Sequence, residues 1–586
     1  MKTKKLLSLL LATGLIFSAA QALPAQIRSD AEAPAATQGG AGACTMIYMG
    51  NGVTDDGAFF YGRTEDISAK SAKLFTVIPA ANHKPGEFYR SSDPASIDFR
   101  WPYPPHSLRY TALRDPVKQY DVTYLGNETW IEASTNESGV SVSATVTLSA
   151  GKTSVIAADP FGGASSIGEA DIPSVIAMQA KTAREGCELI AKVIDAVGAK
   201  SAEGFMVSDP HEAWYFQILS GHQYAAVKCP DDMIGFSPNL TANVSGGPGD
   251  CLDVSDTENV IASKRIVSLP KGLGLLIGDP ADTGNPNKIM IADTYAKAPS
   301  NYQSGRLRVG YGYLYGLTKK AEIAAKYPDA KKYPDFFVEP RNDYKYSLYD
   351  AMRMLACRGE GTEWEIANPV RNDSSIGNAA TVEAHVFEVR PWMPAETATI
   401  KWVCMAPPEF GVYLPFYGSL ITDVYHKYYD NEEALSYDSA DPEDNTVFWV
   451  FRELYAQCAA SSEFERSRLG DGVRAFWARY QKSLIEQQAQ VDEIMLRVLE
   501  SDGRQAASKL ATDASMKLAE ETCGYANQML AELKAFKASG APGPFIPSSL
   551  ADPGAIPRYA DTVRSMSGYG AYDDAFGSLR PYQNFD

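Results

Sequence analysis

Histidine is scarce in this chain: six in 586 residues, scattered, with His83 the first of them. Neither an HExxH motif nor a CxxC pair occurs, so no ligand set has the spacing of a zinc site. The sequence therefore gives no reason to expect a metal or a cofactor. Basic excess is also missing: 54 Lys and Arg face 72 Asp and Glu, for a net charge of -18. Phosphate recognition needs a basic surface, which argues against nucleic acid as a partner. Beyond the N-terminal region no stretch reaches the roughly 20 uninterrupted apolar residues of a spanning helix, so no membrane span is expected.

What is present begins at the N-terminus. Lys2, Lys4 and Lys5 precede the apolar run Leu6 to Phe17, and Ala20-Gln21-Ala22 supplies a small-residue cleavage site. This is the layout of a secretory signal peptide over 1–22, and it predicts an exported protein, periplasmic or extracellular. Residues 23–43 are small, Pro- and Gly-containing and without periodicity, and read as a pro-segment. Cys44 follows at the start of an apolar run. A lipidated cysteine would lie directly behind the signal core with a large aliphatic residue three positions earlier, whereas Ala41 holds that place. Of the eight cysteines, Cys229 with Cys251 and Cys357 with Cys404 are conceivable disulfide pairs in an exported protein.

Past Cys44 the chain alternates short apolar runs with turns. Cys44–Met49 and Ala58–Arg63 flank Gly50-Asn51-Gly52 and Asp55-Asp56-Gly57, a hairpin signal. Strands are predicted at Lys73–Ile78, Asp121–Leu125, Trp130–Ala133 and Val140–Val146, with 91–119 irregular. Ala183, Cys187, Ile190, Ile194 and Val197 mark one helical face, stopped by Gly198. Gly204–Ser208, Ala213–Leu219 and Gln223–Lys228 form a meander, and Glu383–Pro391 and Thr399–Met405 are further strands. From about 445 the pattern turns helical, with Ser501-Asp502-Gly503-Arg504 as the turn of a helical hairpin. The blocks of strands and helices indicate an α+β fold with antiparallel sheets. The expected divisions are a main domain over 44–440, a helical region over 441–538 and a loosely packed tail over 539–586.

A thiol attacks as the thiolate, and an ordinary cysteine near pKa ~8.5 is mostly protonated at neutral pH. With no histidine in the first strands, an alternative base is the nucleophile's own α-amine, pKa ~8, which exists only if the Ala43–Cys44 bond is cut. Arg63 could lower the thiol pKa, and Asp66 could orient the amine. The plainer reading makes Arg63 and Asp66 an ion pair at a strand end.

Cys44-Thr45, Asp56-Gly57, Gly62-Arg63-Thr64-Glu65-Asp66 and His83-Lys84-Pro85-Gly86-Glu87 together resemble the dipeptidase A family of N-terminal nucleophile cysteine peptidases. These peptidases are related to choloylglycine hydrolase and penicillin V acylase. Asn136-Glu137-Ser138-Gly139-Val140, Lys181-Thr182-Ala183-Arg184-Glu185, Glu212-Ala213-Trp214-Tyr215 and Ser237-Pro238-Asn239 continue the likeness in order, strongly over about 44–245. The resemblance implies a four-layer αββα sandwich, to which the helical pattern adds its C-terminal hairpin, together with self-processing and cofactor-free hydrolysis of dipeptide substrates. It further implies that Cys44 is the nucleophile, Arg63 and Asp66 the activating pair, and Asn239 an oxyanion donor, with a second donor near Thr145–Thr147 left open. Gln217 stands where an acidic residue is expected. His222, Trp214, Tyr215 and Asp231-Asp232 read as structural, and Asn136 as a turn former. Alternatives are an acylase acting on a non-peptide amide and, in a different class, a surface binding protein lipid-anchored through Cys44; a homo-oligomer is left open.

Overall fold

The computed structural model describes residues 43–569 apart from 117–129, 150, 246–249, 279–284, 327–332, 367–373, 432–433, 435 and 461. The expected signal peptide, the pro-segment up to 42, the strand at Asp121–Leu125 and the last part of the tail lie outside the described residues.

Two antiparallel sheets face each other. The first has seven strands in the spatial order Phe337–Val338, Ile234–Ser237, Ala43–Met49, Phe59–Asp66, Thr381–Val389, Thr399–Met405 and Leu414–Phe416. The second has eight, in the order Val260–Ala262, Tyr224–Lys228, Ala213–Ile218, Glu203–Ser208, Ser141–Thr147, Ile131–Asn136, Tyr110–Arg114 and Leu74–Ile78. Helices cover both outer faces. Ile172–Ala177 and Ala183–Val197 lie on the eight-stranded sheet, while Leu348–Leu355 and the C-terminal helices lie on the other. The result is the αββα sandwich that the resemblance implied.

The local causes are legible. The turn after Met49 returns the chain so that Ala43 pairs with Asp66 and Cys44 with Glu65. The helix Ala183–Val197 starts where the Thr182 hydroxyl accepts from the Glu185 amide at 3.1 Å. It ends at Gly198, whose φ of +75° is cheap only for glycine. Its buried face, Cys187, Ile190 and Ile194, packs with Phe205, Trp214 and Phe216 of the sheet.

The C-terminal helix Glu463–Ser539 is interrupted at Gly503, φ +82°. The two arms fold back on each other: Tyr480 and Thr522 share a 2.8 Å hydrogen bond, and Phe476 meets Tyr525 with ring centroids 6.0 Å apart. The hairpin is thus where the turn signal put it. Beyond 539 the chain, expected to pack loosely, is anchored: Phe545, Tyr559 and Val563 are buried, and the Phe545 amide donates to Arg468 O at 2.7 Å.

Two expectations need correction. Residues 91–119 are not irregular throughout, because Tyr110–Arg114 is a fully buried strand. Prolines on both sides hid this five-residue run. Cys229, Cys357 and Cys404 are free thiols, so neither disulfide pairing is made. Among the described residues no helix is long and apolar enough to cross a membrane.

Strand packing beside the site is tight enough to test. A Cβ on Gly62 would lie 2.1 Å from His385 O and 3.0 Å from Val386 Cα, both backbone atoms of the neighbouring strand. Gly62→Ala should therefore cost about 3 kcal/mol, read as a drop in the thermal midpoint; an unchanged midpoint would contradict the strand register.

Candidate active site

Side chains alternate across a strand, so Cys44 and Met46 share one face with their cross-strand partners Glu65 and Arg63. That face looks toward the eight-stranded sheet. Cys44 is 5% exposed and Arg63 is fully buried. The Arg63 guanidinium donates through Nη2 to Cys44 Sγ at 3.2 Å, and through Nη1 to Glu132 Oε2 at 2.6 Å and to Ala144 O. Glu383 Oε1 stands 3.8 Å from Nη1. Glu132 also accepts from Lys73 Nζ at 3.2 Å, and Lys73 pairs with Glu65 Oε2 at 2.5 Å and with Asp115. A single carboxylate, Glu132, thus bridges the two buried cations.

Burial pushes the Cys44 thiol up to about 12, against the charge and hydrogen bond of Arg63, which pull it down. With the Ala43–Cys44 peptide bond intact this thiol is protonated at neutral pH, and Arg63 alone does not ionise it. An imidazole is nearby: His385 is the cross-strand partner of Arg63. Its Nδ1 lies 2.9 Å from Glu383 Oε2 and its Nε2 2.8 Å from Ser143 Oγ, and burial holds it below the ordinary histidine range. Both nitrogens are committed away from the sulfur, so His385 ties the two sheets together.

The nitrogen of Cys44 has its own partners. It donates to Asn239 Oδ1 at 2.6 Å. Arg306 donates through Nη2 to Asn239 Oδ1 and Pro238 O, each at 2.9 Å, and through Nη1 to Cys44 O at 2.7 Å. Asn239 Nδ2 donates to Thr147 O at 3.0 Å. Two donors meeting one side of the amide and a carbonyl meeting the other fix its orientation. Asn239 therefore holds the nitrogen of Cys44 through its oxygen and Thr147 O through its Nδ2. Its backbone φ of +59° lies in the left-handed region, which asparagine enters more readily than most residues.

Asp66 lies beside the same junction but on the opposite face, paired with Ala43. Thr381 Oγ1 donates to its Oδ1 at 2.5 Å, and the side chain of Asn378 adds a second hydrogen bond to the carboxyl. Burial lifts this carboxyl to about 7. Asp66 thus stands across the strand from Ala43, and Arg63 contacts the sulfur.

The structure brings together Cys44, Arg63 and Asn239 as the sequence led one to expect, and adds Arg306, Glu132, Lys73 and Glu383. Arg306 comes from the helix Asn301–Tyr315, whose sequence carries no motif for it. For Glu132, Lys73 and Glu383 a signal existed: ionisable residues inside strand-like runs. The other singled-out residues are structural. His222 Nδ1 is 3.0 Å from Asp159 Oδ1, the buried Trp214 donates to Glu212 Oε1 at 2.9 Å, and Gln217 spans the Ala242 backbone through two 3.0 Å bonds. Asn136 closes its turn by accepting from the amides of Ser138 and Val140.

The family model of peptidase family C69 matches residues 43–469, beginning one residue before the cysteine. A Streptococcus pyogenes serotype M1 protein named "Probable dipeptidase B" is 30% identical over 498 residues, 82% of this chain and 90% of that one. A "Probable dipeptidase" of Salmonella dublin is 29% identical, covering 64% of this chain and 81% of its own. A solved mutant of the conjugated bile acid hydrolase from Clostridium perfringens is 12% identical with a TM-score of 0.25, over 62% of this chain and 89% of that one. The family model over residues 43–469 and the 30% identical relative over 82% of the chain agree: the chain belongs to peptidase family C69.

Proposed function

We propose that the chain is an exported dipeptidase whose working nucleophile is Cys44 as the first residue of the mature protein. One observation carries this reading: the nitrogen of Cys44 is held as deliberately as its sulfur, by Asn239 and through it Arg306, while no imidazole contacts the thiol among the described residues. The relatives named as dipeptidases support the substrate class, and the N-terminal signal pattern supports export.

The chemistry follows from that arrangement. Removal of residues up to Ala43 turns the amide nitrogen of Cys44 into an amine beside Asn239 Oδ1, with Asp66 across the strand from the cut. The amine accepts the thiol proton, and Arg63 stabilises the resulting thiolate. Sulfur attacks the dipeptide carbonyl carbon, and the remaining Asn239 N–H steadies the oxyanion, a contribution of about 3 kcal/mol. The tetrahedral adduct collapses with loss of the C-terminal amino acid, whose nitrogen takes the proton back from the α-ammonium. Water, deprotonated by the same amine, then cleaves the thioester.

Intact-mass analysis of the active protein tests this directly. The expected mass begins at an unmodified Cys44. An active species starting near Leu23 would overturn the reading, and a diacylglyceryl adduct would replace it with the lipid-anchored alternative.

A further inference from the structure

We infer that Glu132, locked in place by Lys73, is a positioning residue for the reaction: it aims the Arg63 guanidinium at the sulfur of Cys44. This deepens the dipeptidase reading and rests on it. The backbone puts Glu132 there through an irregularity. Leu113 pairs with Ala133 and Arg114 with Ile131, so Glu132 is the unpaired extra residue of a bulge. A bulge re-aims one side chain against the alternation of its strand. Here it turns a carboxylate into the layer between the two sheets, where it is buried and meets Arg63 of the opposite sheet at 2.6 Å.

Arg63 needs such a hold. Its Nε has no hydrogen-bond partner among the described residues, so the two terminal nitrogens orient the group. Nη2 carries the sulfur contact at 3.2 Å, and sulfur is a weak acceptor. Nη1 carries Glu132 and Ala144 O. The guanidinium is planar and rigid, so fixing Nη1 fixes where Nη2 points. A competitor stands close: Glu383 Oε1 lies 3.8 Å from Nη1, and without Glu132 the cation would be drawn to it. Glu132 is itself fixed, because its second oxygen accepts from Lys73 Nζ at 3.2 Å, and Lys73 is held by Glu65 at 2.5 Å and by Asp115. Burial would lift the Glu132 carboxyl, but Lys73 and Arg63 together hold it below the usual carboxylate range. The bridge is therefore charged at neutral pH. The other charged or titratable groups that feel Arg63 or the sulfur are Glu65, Asp66, Glu169, Glu203 and His385. None of these five makes a hydrogen bond to the guanidinium among the described residues, which leaves its aim to Glu132 and the Ala144 carbonyl.

The experiment reads the pH profile of Cys44 alkylation, from the mass of the Cys44 peptide, with dipeptide kcat/KM alongside, in the processed enzyme and in Glu132→Gln and Glu132→Asp. Aim and charge predict opposite signs. Glu132→Gln removes a negative charge from beside Arg63; if charge alone counted, the cation would act on the sulfur with less competition and the profile would move down. A glutamine amide, however, has one oxygen for two cations, and its NH2 would meet either Arg63 or Lys73 donor against donor. With the aim lost, the thiolate loses its hydrogen bond and the profile should move up by about one pH unit, with kcat/KM at neutral pH down about tenfold. Glu132→Asp keeps the charge but is one bond shorter, ~1.5 Å, and cannot reach Arg63 and Lys73 together. It should shift the profile the same way, and it decides the matter if Glu132→Gln does not fold. A merely structural role would lower the thermal midpoint and leave the profile in place. A Glu132→Gln profile that overlays wild type or moves down, or a Glu132→Asp profile that overlays it, overturns the inference and leaves the dipeptidase reading standing. Wild-type turnover that survives complete alkylation of Cys44 overturns both.

Discussion

Cys44→Ala should give a folded protein whose dipeptide turnover has fallen by at least about 10⁴-fold, the scale expected when a nucleophile is removed. The fold is expected to survive for specific reasons. Cys44 is the second residue of its strand, and its backbone contacts to Asn239 and Arg306 do not involve the side chain. Arg63 loses one acceptor, the sulfur, and keeps Glu132 and Ala144 O, so no buried charge is left alone. Losing one buried sulfur should lower stability by about 1–2 kcal/mol. Thermal melting followed by circular dichroism checks the fold, and a dipeptide assay checks turnover. Activity above about 1% of wild type in a melting-competent Cys44→Ala protein would exclude Cys44 as the nucleophile.

The sequence made some of this legible and hid the rest, for reasons that can be named. Local signals were enough for the Cys44 strand and its hairpin partner, because turn chemistry between two β-like runs sets the register in which Arg63 meets the sulfur. They also sufficed for the C-terminal hairpin, where a helical face, a glycine and a second helical face follow one another. Arg306 was invisible for the opposite reason. It lies 262 residues from Cys44, and the local features of its helix are a Ser300–Gln303 cap at one end and Gly316 at the other. Glu132 reaches Arg63 across the layer between the sheets, and no local pattern records how two sheets are aligned. The commitment of Asn239 Oδ1 to the nitrogen of Cys44 is likewise a fact of packing: the residue could be named from its motif, but which end of its amide faces Cys44 depends on Arg306 and Thr147.

Arg63→Lys should be strongly damaging, although the positive charge is retained. The guanidinium makes three kinds of contact at once, to Cys44 Sγ, Glu132 Oε2 and Ala144 O, from a planar group that holds its donors apart. An ammonium is a single point on a flexible stem and cannot span those three positions together. The buried carboxylates Glu132 and Glu383 fix the outcome, because an ammonium drawn to them moves away from the sulfur. The thiol then loses the hydrogen bond that opposes its burial, while Glu65, whose charge pushes it upward, stays. The sign is definite. A thiol reacts as the thiolate, which is present above its pKa; raising that pKa moves the reactive range to higher pH and lowers the thiolate fraction at neutrality. The pH profile of Cys44 alkylation should shift upward, with kcat/KM down about 100-fold or more, the free-energy equivalent of a lost hydrogen bond to a charged group. If charge alone mattered, the alkylation profile of Arg63→Lys would overlay that of wild type. That overlay would transfer the role assigned to Arg63 from the geometry of its guanidinium to its charge.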